Sequence, residues 1–163
     1  MIEFNNVRVK YESGDVALDD VSLQINDGEF VFIVGHSGAG KTTLTKVLLG
    51  EKQITSGSLK VNGCSVRNLK QSEIPFFRRN IGVVFQDFRL IERKTVFENV
   101  ALPLRIVGNS SLEIKKKVSS LLALVGLEGK KGSYPRQLSG GEQQRVAFVR
   151  AIAANPSVII ADE

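Results

Sequence analysis

The sequence predicts an α/β protein: buried parallel strands flanked by helices, with an N-terminal antiparallel β subdomain and a helical insert. Three observations predict it. The stretch VIIADE, residues 158–163, sets four small apolar residues before two carboxylates, as in a strand covered on both faces that ends at a ligand crevice. The stretch GHSGAGKTT, residues 35–43, follows the apolar run EFVFIV and precedes a helical spacing. The first part of the chain otherwise alternates apolar and polar side chains, whereas residues 95–132 carry helical periodicity.

In chain order, MIEFNNVRVKY and ALDDVSLQI alternate and predict two strands. Asp27-Gly28, between Ile25 and Phe30, predicts a hairpin turn into EFVFIV, a buried strand broken by the glycine-rich loop. Leu44, Val47 and Leu48 then fall at helical spacing, with Gly50 as a cap. GSLKVNG predicts a short strand, and IGVVF, residues 81–85, a second buried strand that ends on Gln86. Thr95 with Glu98 three residues on is a capping box. SLEIKKKVSSLLALVGL predicts a helix with Leu112, Val118, Leu121, Leu122 and Val125 on one face, Ser111 as N-cap and Gly126 as stop. SGGEQQRVAFVRAIAANP predicts a further helix, ended at Asn155-Pro156 and followed by the strand SVIIADE. No internal repeat or low-complexity tract interrupts this order.

The totals narrow the partners. At 163 residues the chain can bury one substantial core. Its 22 basic and 17 acidic side chains leave a scattered net charge of +5, which a polyanionic nucleotide satisfies and which does not indicate nucleic acid. The densest basic run, Lys115-Lys116-Lys117, lies in a helical pattern and reads as a solvated face. Cys64 is the single cysteine, which excludes an internal disulfide and suits a reducing compartment. The first residues lack the charged and apolar regions of a signal peptide. No run approaches the roughly 18 apolar residues of a membrane span. The expectation is a soluble chain that meets a membrane only through a partner.

The motifs carry the chemistry. GHSGAGKTT fits G-x-x-x-x-G-K-[ST], between a strand and a helix as the motif requires. Gly35, His36, Ser37, Gly38, Ala39 and Gly40 form the loop, whose backbone N–H groups and following helix dipole suit a phosphate. Lys41 reaches β- and γ-phosphate oxygens, Thr42 supplies a hydroxyl to Mg²⁺, and Thr43 completes the stretch. Such a loop needs a second Mg²⁺ anchor ending a neighbouring buried strand, and Asp162 fits it; Glu163 stands one step further, where a water-polarising base is needed. In LSGGEQQ, Ser139 offers a hydroxyl and Gly140 and Gly141 offer backbone N–H groups at a helix start. Alone, that is an ordinary N-cap; beside a P-loop it is a second phosphate cradle that one nucleotide does not need.

GHSGAGKTT, the glutamine ending IGVVFQ, LSGGEQQR and VIIADE together resemble the ATPase subunit of ABC transporters, over the whole chain. The resemblance implies a P-loop NTPase (ABC ATPase) core: one nucleotide-binding domain over residues 1–163, with a helical subdomain at about 95–145. It implies ATP and Mg²⁺ as cofactors and a head-to-tail dimer, in which the signature of one copy closes on the ATP of the other. An integral membrane subunit is the implied second partner, with the chain peripheral on the cytoplasmic face. By the same resemblance Tyr11 stacks on adenine, although a lone tyrosine at a strand end also reads as surface packing. Gln86 contacts Mg²⁺ and water as a catalytic residue, Gln143 belongs to the nucleotide-facing signature, and Glu163 is the catalytic base. Lipoprotein-release and macrolide-export ATPases share much of this wording, and nucleic-acid-linked ABC-type ATPases are an alternative that would carry long coiled-coil insertions.

The family continues beyond the Walker B strand, so the chain reads as truncated there, with apolar surface expected near Val158. The loop after Gln86 interleaves Phe88, Leu90, Ile91 and Phe97 with charges, the composition of a docking patch. Phe88 and Leu90 are expected to be at least partly exposed; packing of the same residues onto the insert's core is the alternative.

Overall fold

The computed structural model describes residues 1–162; the catalytic base expected at Glu163 lies outside the described residues. The chain falls into two compact units, Met1–Ile74 and Pro75–Glu163.

In the first unit, β1 (Ile2–Lys10), β2 (Val16–Ile25), β3 (Ser56–Val61) and β4 (Cys64–Ser65) form a sheet in the order β2-β1-β3-β4, every neighbour antiparallel. Ile2, Phe4, Val7 and Val9 of β1 are buried. Phe4 and Val7 are three residues apart, so strict alternation would turn one of them outward. A bulge absorbs the extra residue: the register shifts between Phe4 and Val7, and Asn6 takes φ 48°. Asp20 does the same on β2 with φ 52°, and the Asn6 amide donates to its carboxylate at 2.7 Å. Helix α1 (Lys41–Leu48) buries Leu44, Val47 and Leu48 as expected, with Thr43 added. It stops at Gly50, where Gly50 N donates to Val47 O and Glu51 N to Lys46 O.

The strand expected at EFVFIV is not formed. The turn before it is, with Glu29 N donating to Asn26 O at 3.3 Å. Beyond it Phe30, Phe32 and Val34 are 84%, 78% and 87% exposed, and no described strand pairs with the segment. The Phe30 and Phe32 rings meet edge to face at 5.0 Å, placing alternate side chains together. Apolar β-forming residues make a segment suitable for a strand, but a neighbouring backbone must supply the ladder.

Helix α2 (Ile74–Arg78) begins on the last residue of the first unit and leads to β5 (Ile81–Val84) of the second, which pairs in parallel with β6 (Val158–Ala161), Ile81 opposite Val158 and Val84 opposite Ala161. No residue of β6 is buried and Ile159 is 52% exposed, so the strand is not covered on both faces as its apolar run predicts, whereas the apolar surface expected near Val158 is present. Helices α3 (Val96–Ile106), α4 (Ser111–Leu124) and α5 (Gly140–Ile152) enclose a core that includes Val96, Val100, Leu104, Val118, Leu122 and Val146. Helix α5 lies so close under β5 that a Cβ on Gly82 would sit 2.4 Å from the Ala151 carbonyl oxygen.

Each of these three helices starts on a capping box: Thr95 with Glu98, Ser110 with Glu113, Ser139 with Glu142. The N-cap of α4 is therefore Ser110, not Ser111, because the glutamate stands three residues after Ser110. The buried stripe of α4 shifts accordingly to Ile114, Val118 and Leu122, while Leu112 is 64% exposed. Among the described residues, no helix is long and apolar enough to cross a membrane.

Candidate nucleotide-binding site

The glycine-rich loop belongs to the first unit and is exposed over residues 35–39. Gly40 caps α1 with φ 92°, and a Cβ there would approach the Ala17 carbonyl oxygen to 2.4 Å, so both conformation and space require glycine. Ala39 N donates to His36 O at 3.1 Å, closing the turn. The Lys41 ammonium folds back across the loop and donates to Gly35 O at 2.6 Å and His36 O at 3.0 Å. It is thus a tethered cation beside the N-terminus of α1, where dipole and ammonium favour an anion together. His36 turns its Nδ1 to Ser37 O at 2.8 Å. Thr42 is exposed, while Thr43 is buried and shares a 3.0 Å hydrogen bond with the Tyr11 hydroxyl. Tyr11 is therefore tied to the loop's own helix, and the Lys52 ammonium lies 4.6 Å from its ring centroid.

Three expected elements lie in the second unit. Asp162 N donates to Val84 O at 2.9 Å, continuing the parallel ladder by one bond. That places Asp162, one residue past β6, and Gln86, two past β5, at the same C-terminal edge of the strand pair. This is the edge at which α/β proteins bind ligands. Among the described residues no cluster of three or more His, Cys, Asp or Glu could hold a metal. Within the second unit Gln86 and Asp162 offer one amide and one carboxylate at that edge, and in the first unit Thr42 offers one hydroxyl. Each is a hard oxygen donor of the kind that suits Mg²⁺ completed by phosphates and water.

The signature stretch starts α5. Ser139 Oγ accepts from Glu142 N at 3.3 Å and donates to the Glu142 carboxylate at 3.0 Å. The N-cap reading thus holds for this side chain. The Ser139 backbone N–H, and after it the hydroxyl, hold Glu142 below the usual carboxylate range. Gly140 and Gly141 are exposed, and nothing lies within 4 Å of a Cβ position on Gly140. The first N–H groups of a helix have no partner within it; here the cap takes that of Glu142, which leaves those of the exposed Gly140 and Gly141 as the ones an anion could use. Gln143 folds back, its amide donating to Leu138 O at 3.2 Å.

The expected docking loop is half-buried at Phe88 and Leu90, and Ile91 is 37% exposed. Leu90 and Phe97 pack against the helical core. For those two residues, packing onto the insert accounts for the apolar character.

Three comparisons address identity. The chain matches the family described as ABC transporter over residues 18–163. It belongs to that family. As an ABC ATPase it is 50% identical to the cell division ATP-binding protein FtsE of Bacillus subtilis (strain 168), over its whole length and 72% of that protein. It is 48% identical to the methionine import ATP-binding protein MetN of Clostridioides difficile (strain 630), over its whole length and 50% of that protein. A dimeric, post-hydrolysis structure of the ATP-binding cassette MJ0796 bound to ADP and Pi matches it with a TM-score of 0.91 at 39% identity. That match covers all of this chain and 74% of the other.

Two residues of this ABC ATPase escaped the sequence reading. Asn99 is fully buried on α3: its Oδ1 accepts from Ile91 N at 2.8 Å, and its Nδ2 reaches the carbonyls of Ile91, Lys94 and Thr95 at 3.0–3.2 Å. Its signal was an amide within an apolar helical face, between Val96 and Val100. Arg150, in the last turn of α5, donates to Phe88 O and Arg89 O, both at 2.7 Å. A cation near a helix C-terminus has an ordinary explanation, and nothing in the sequence tied it to a loop sixty residues away.

Proposed function

We propose that the chain is the ATP-binding and ATP-hydrolysing part of an FtsE-like subunit. It pairs head to tail with a second copy and drives an FtsX-like integral membrane partner from the cytoplasmic face, with control of cell-wall hydrolases as the output. The observation that supports the reading is the presence of two glycine-rich helix starts on one chain: α1 behind the P-loop, and α5 with its exposed Gly140-Gly141, each suited to an anion. One nucleotide uses one such cradle, so the second serves the nucleotide of another copy.

In this reading residues 35–43 wrap the phosphates and Lys41 matches their β- and γ-charge. Thr42, Asp162 and Gln86 would hold Mg²⁺, which neutralises phosphate charge when bound. Tyr11 offers a ring face to adenine. Glu163 takes the proton of the attacking water, a contribution of typically 10²–10⁴-fold. Ser139, Gly140, Gly141 and Gln143 meet the γ-phosphate bound by the opposite copy.

The FtsE name among the relatives supports the cell-division role; the second reading is a lipoprotein-release or macrolide-export type ABC ATPase, and the near-equal identity to MetN, a methionine import ATP-binding protein, supports a transport role in general. A nucleic-acid-linked role has less support, since the described helices between P-loop and signature reach at most 14 residues. Co-purification of the full-length protein from membranes, with identification of the bound integral protein, separates these readings. Phe88→Glu is expected to weaken that association by at least about 30-fold, the scale of a lost apolar anchor, with ATP binding intact. Undiminished co-purification of Phe88→Glu would remove this loop from the docking surface.

A further inference from the structure

We propose that Arg150 is a positioning residue, clamping the loop after β5 in a left-handed turn and thereby fixing Gln86. The inference rests on the role given to Gln86 above. Six described non-glycine residues have positive φ; four are Asn or Asp, which tolerate that region, and the others are the consecutive Phe88 (φ 58°) and Arg89 (φ 44°). A bulky pair in that conformation persists only where its surroundings impose it.

Part of the constraint is local. Phe88 N donates to Phe85 O at 2.9 Å and Arg89 N to Asp87 O at 2.6 Å. The Arg89 guanidinium lies 4.0 Å from the Phe85 ring centroid and 3.3 Å from the Asp87 carboxylate. The constraint from outside the loop comes from α5. Nη2 of Arg150 takes Phe88 O and Nη1 takes Arg89 O, one donor for each residue of the strained pair. Successive carbonyls of a left-handed turn face one side, so a planar two-pronged donor gives each its own N–H in a fixed geometry, whereas a lysine ammonium is a compact donor on a flexible stem and holds the pair less rigidly. Partial burial lowers the Arg150 pKa, yet a guanidinium stays charged. The clamp is therefore permanent at physiological pH. Gln86 lies two residues before the clamped pair, and Gly140 and Gly141 open the helix that carries the clamp.

Hydrogen exchange and steady-state turnover of the full-length protein test this together. Arg150→Lys is expected to speed exchange in residues 85–91 while α3 and α4 keep their protection. It should lower kcat for ATP roughly tenfold to hundredfold, the scale of a small displacement of a positioned group, with KM unchanged. Arg89→Gly, which adopts the left-handed turn without strain, should restore most of that kcat in the Arg150→Lys background. Unchanged exchange at 85–91, loss of protection spread over α3–α5, or no recovery with Arg89→Gly would each overturn the clamp. A Gln86→Ala protein with parental turnover would instead remove the role of Gln86, while the exchange data still report on Arg150.

Discussion

At the scale of single residues, Lys41 shows how a loop prepares for a ligand. Its ammonium is satisfied by two carbonyls of its own loop, so binding phosphate exchanges neutral acceptors for charged ones, which make the stronger hydrogen bonds. Lys41→Ala removes the charge and leaves the phosphates uncompensated. ATP affinity, measured by nucleotide titration, is expected to fall by about tenfold or more, or at least about 1.4 kcal/mol. Equal affinity in mutant and parent would contradict the P-loop assignment. The loop was legible because its motif encodes backbone geometry: a Cβ on Gly40 has no room. Arg150 was not legible, because its partners are carbonyls of Phe88 and Arg89, and a carbonyl carries no residue identity.

At the scale of elements, α3, α4 and α5 start on S/T-x-x-E spacings, of which only Thr95 with Glu98 was read as a capping box. The miss at α4 is instructive. Ser110 and Ser111 are adjacent, and only the position of Glu113 decides which one caps. Each capping glutamate sits below the usual carboxylate range: Glu98 through the Thr95 backbone N–H, Glu113 through the Ser110 hydroxyl, Glu142 through the Ser139 backbone N–H. A carboxyl whose folded pKa is depressed stabilises the fold above its ordinary value and loses that contribution as pH falls through the folded value. Urea midpoints are therefore expected to drop as pH falls below the ordinary carboxylate range. Replacing all three by glutamine, which keeps the cap but cannot titrate, should flatten that drop. An unchanged acid slope would show that these caps do not govern it. The element that failed, residues 29–34, has a strand's composition without a strand's neighbour. Sequence pattern reports which faces want covering, whereas a ladder depends on another backbone.

At the scale of the whole molecule, the fold class and the order of motifs were legible because each motif constrains residue type and, apart from the strand expected before the P-loop, its flanking element. The proposed contact between copies was legible only as a surplus, a second glycine-rich helix start in addition to the P-loop's own. The central claim is that this second start acts in trans, and ATP-dependent dimerisation measures it. In the full-length protein, Glu163→Gln should bind ATP without hydrolysing it and sediment as a dimer. Adding Gly140→Asp places a carboxylate against the opposite copy's γ-phosphate, a like-charge clash at a closed interface. The account predicts a monomer that still binds ATP with parental affinity. A dimer that persists with ATP, or a monomer that loses ATP as Lys41→Ala does, would contradict it.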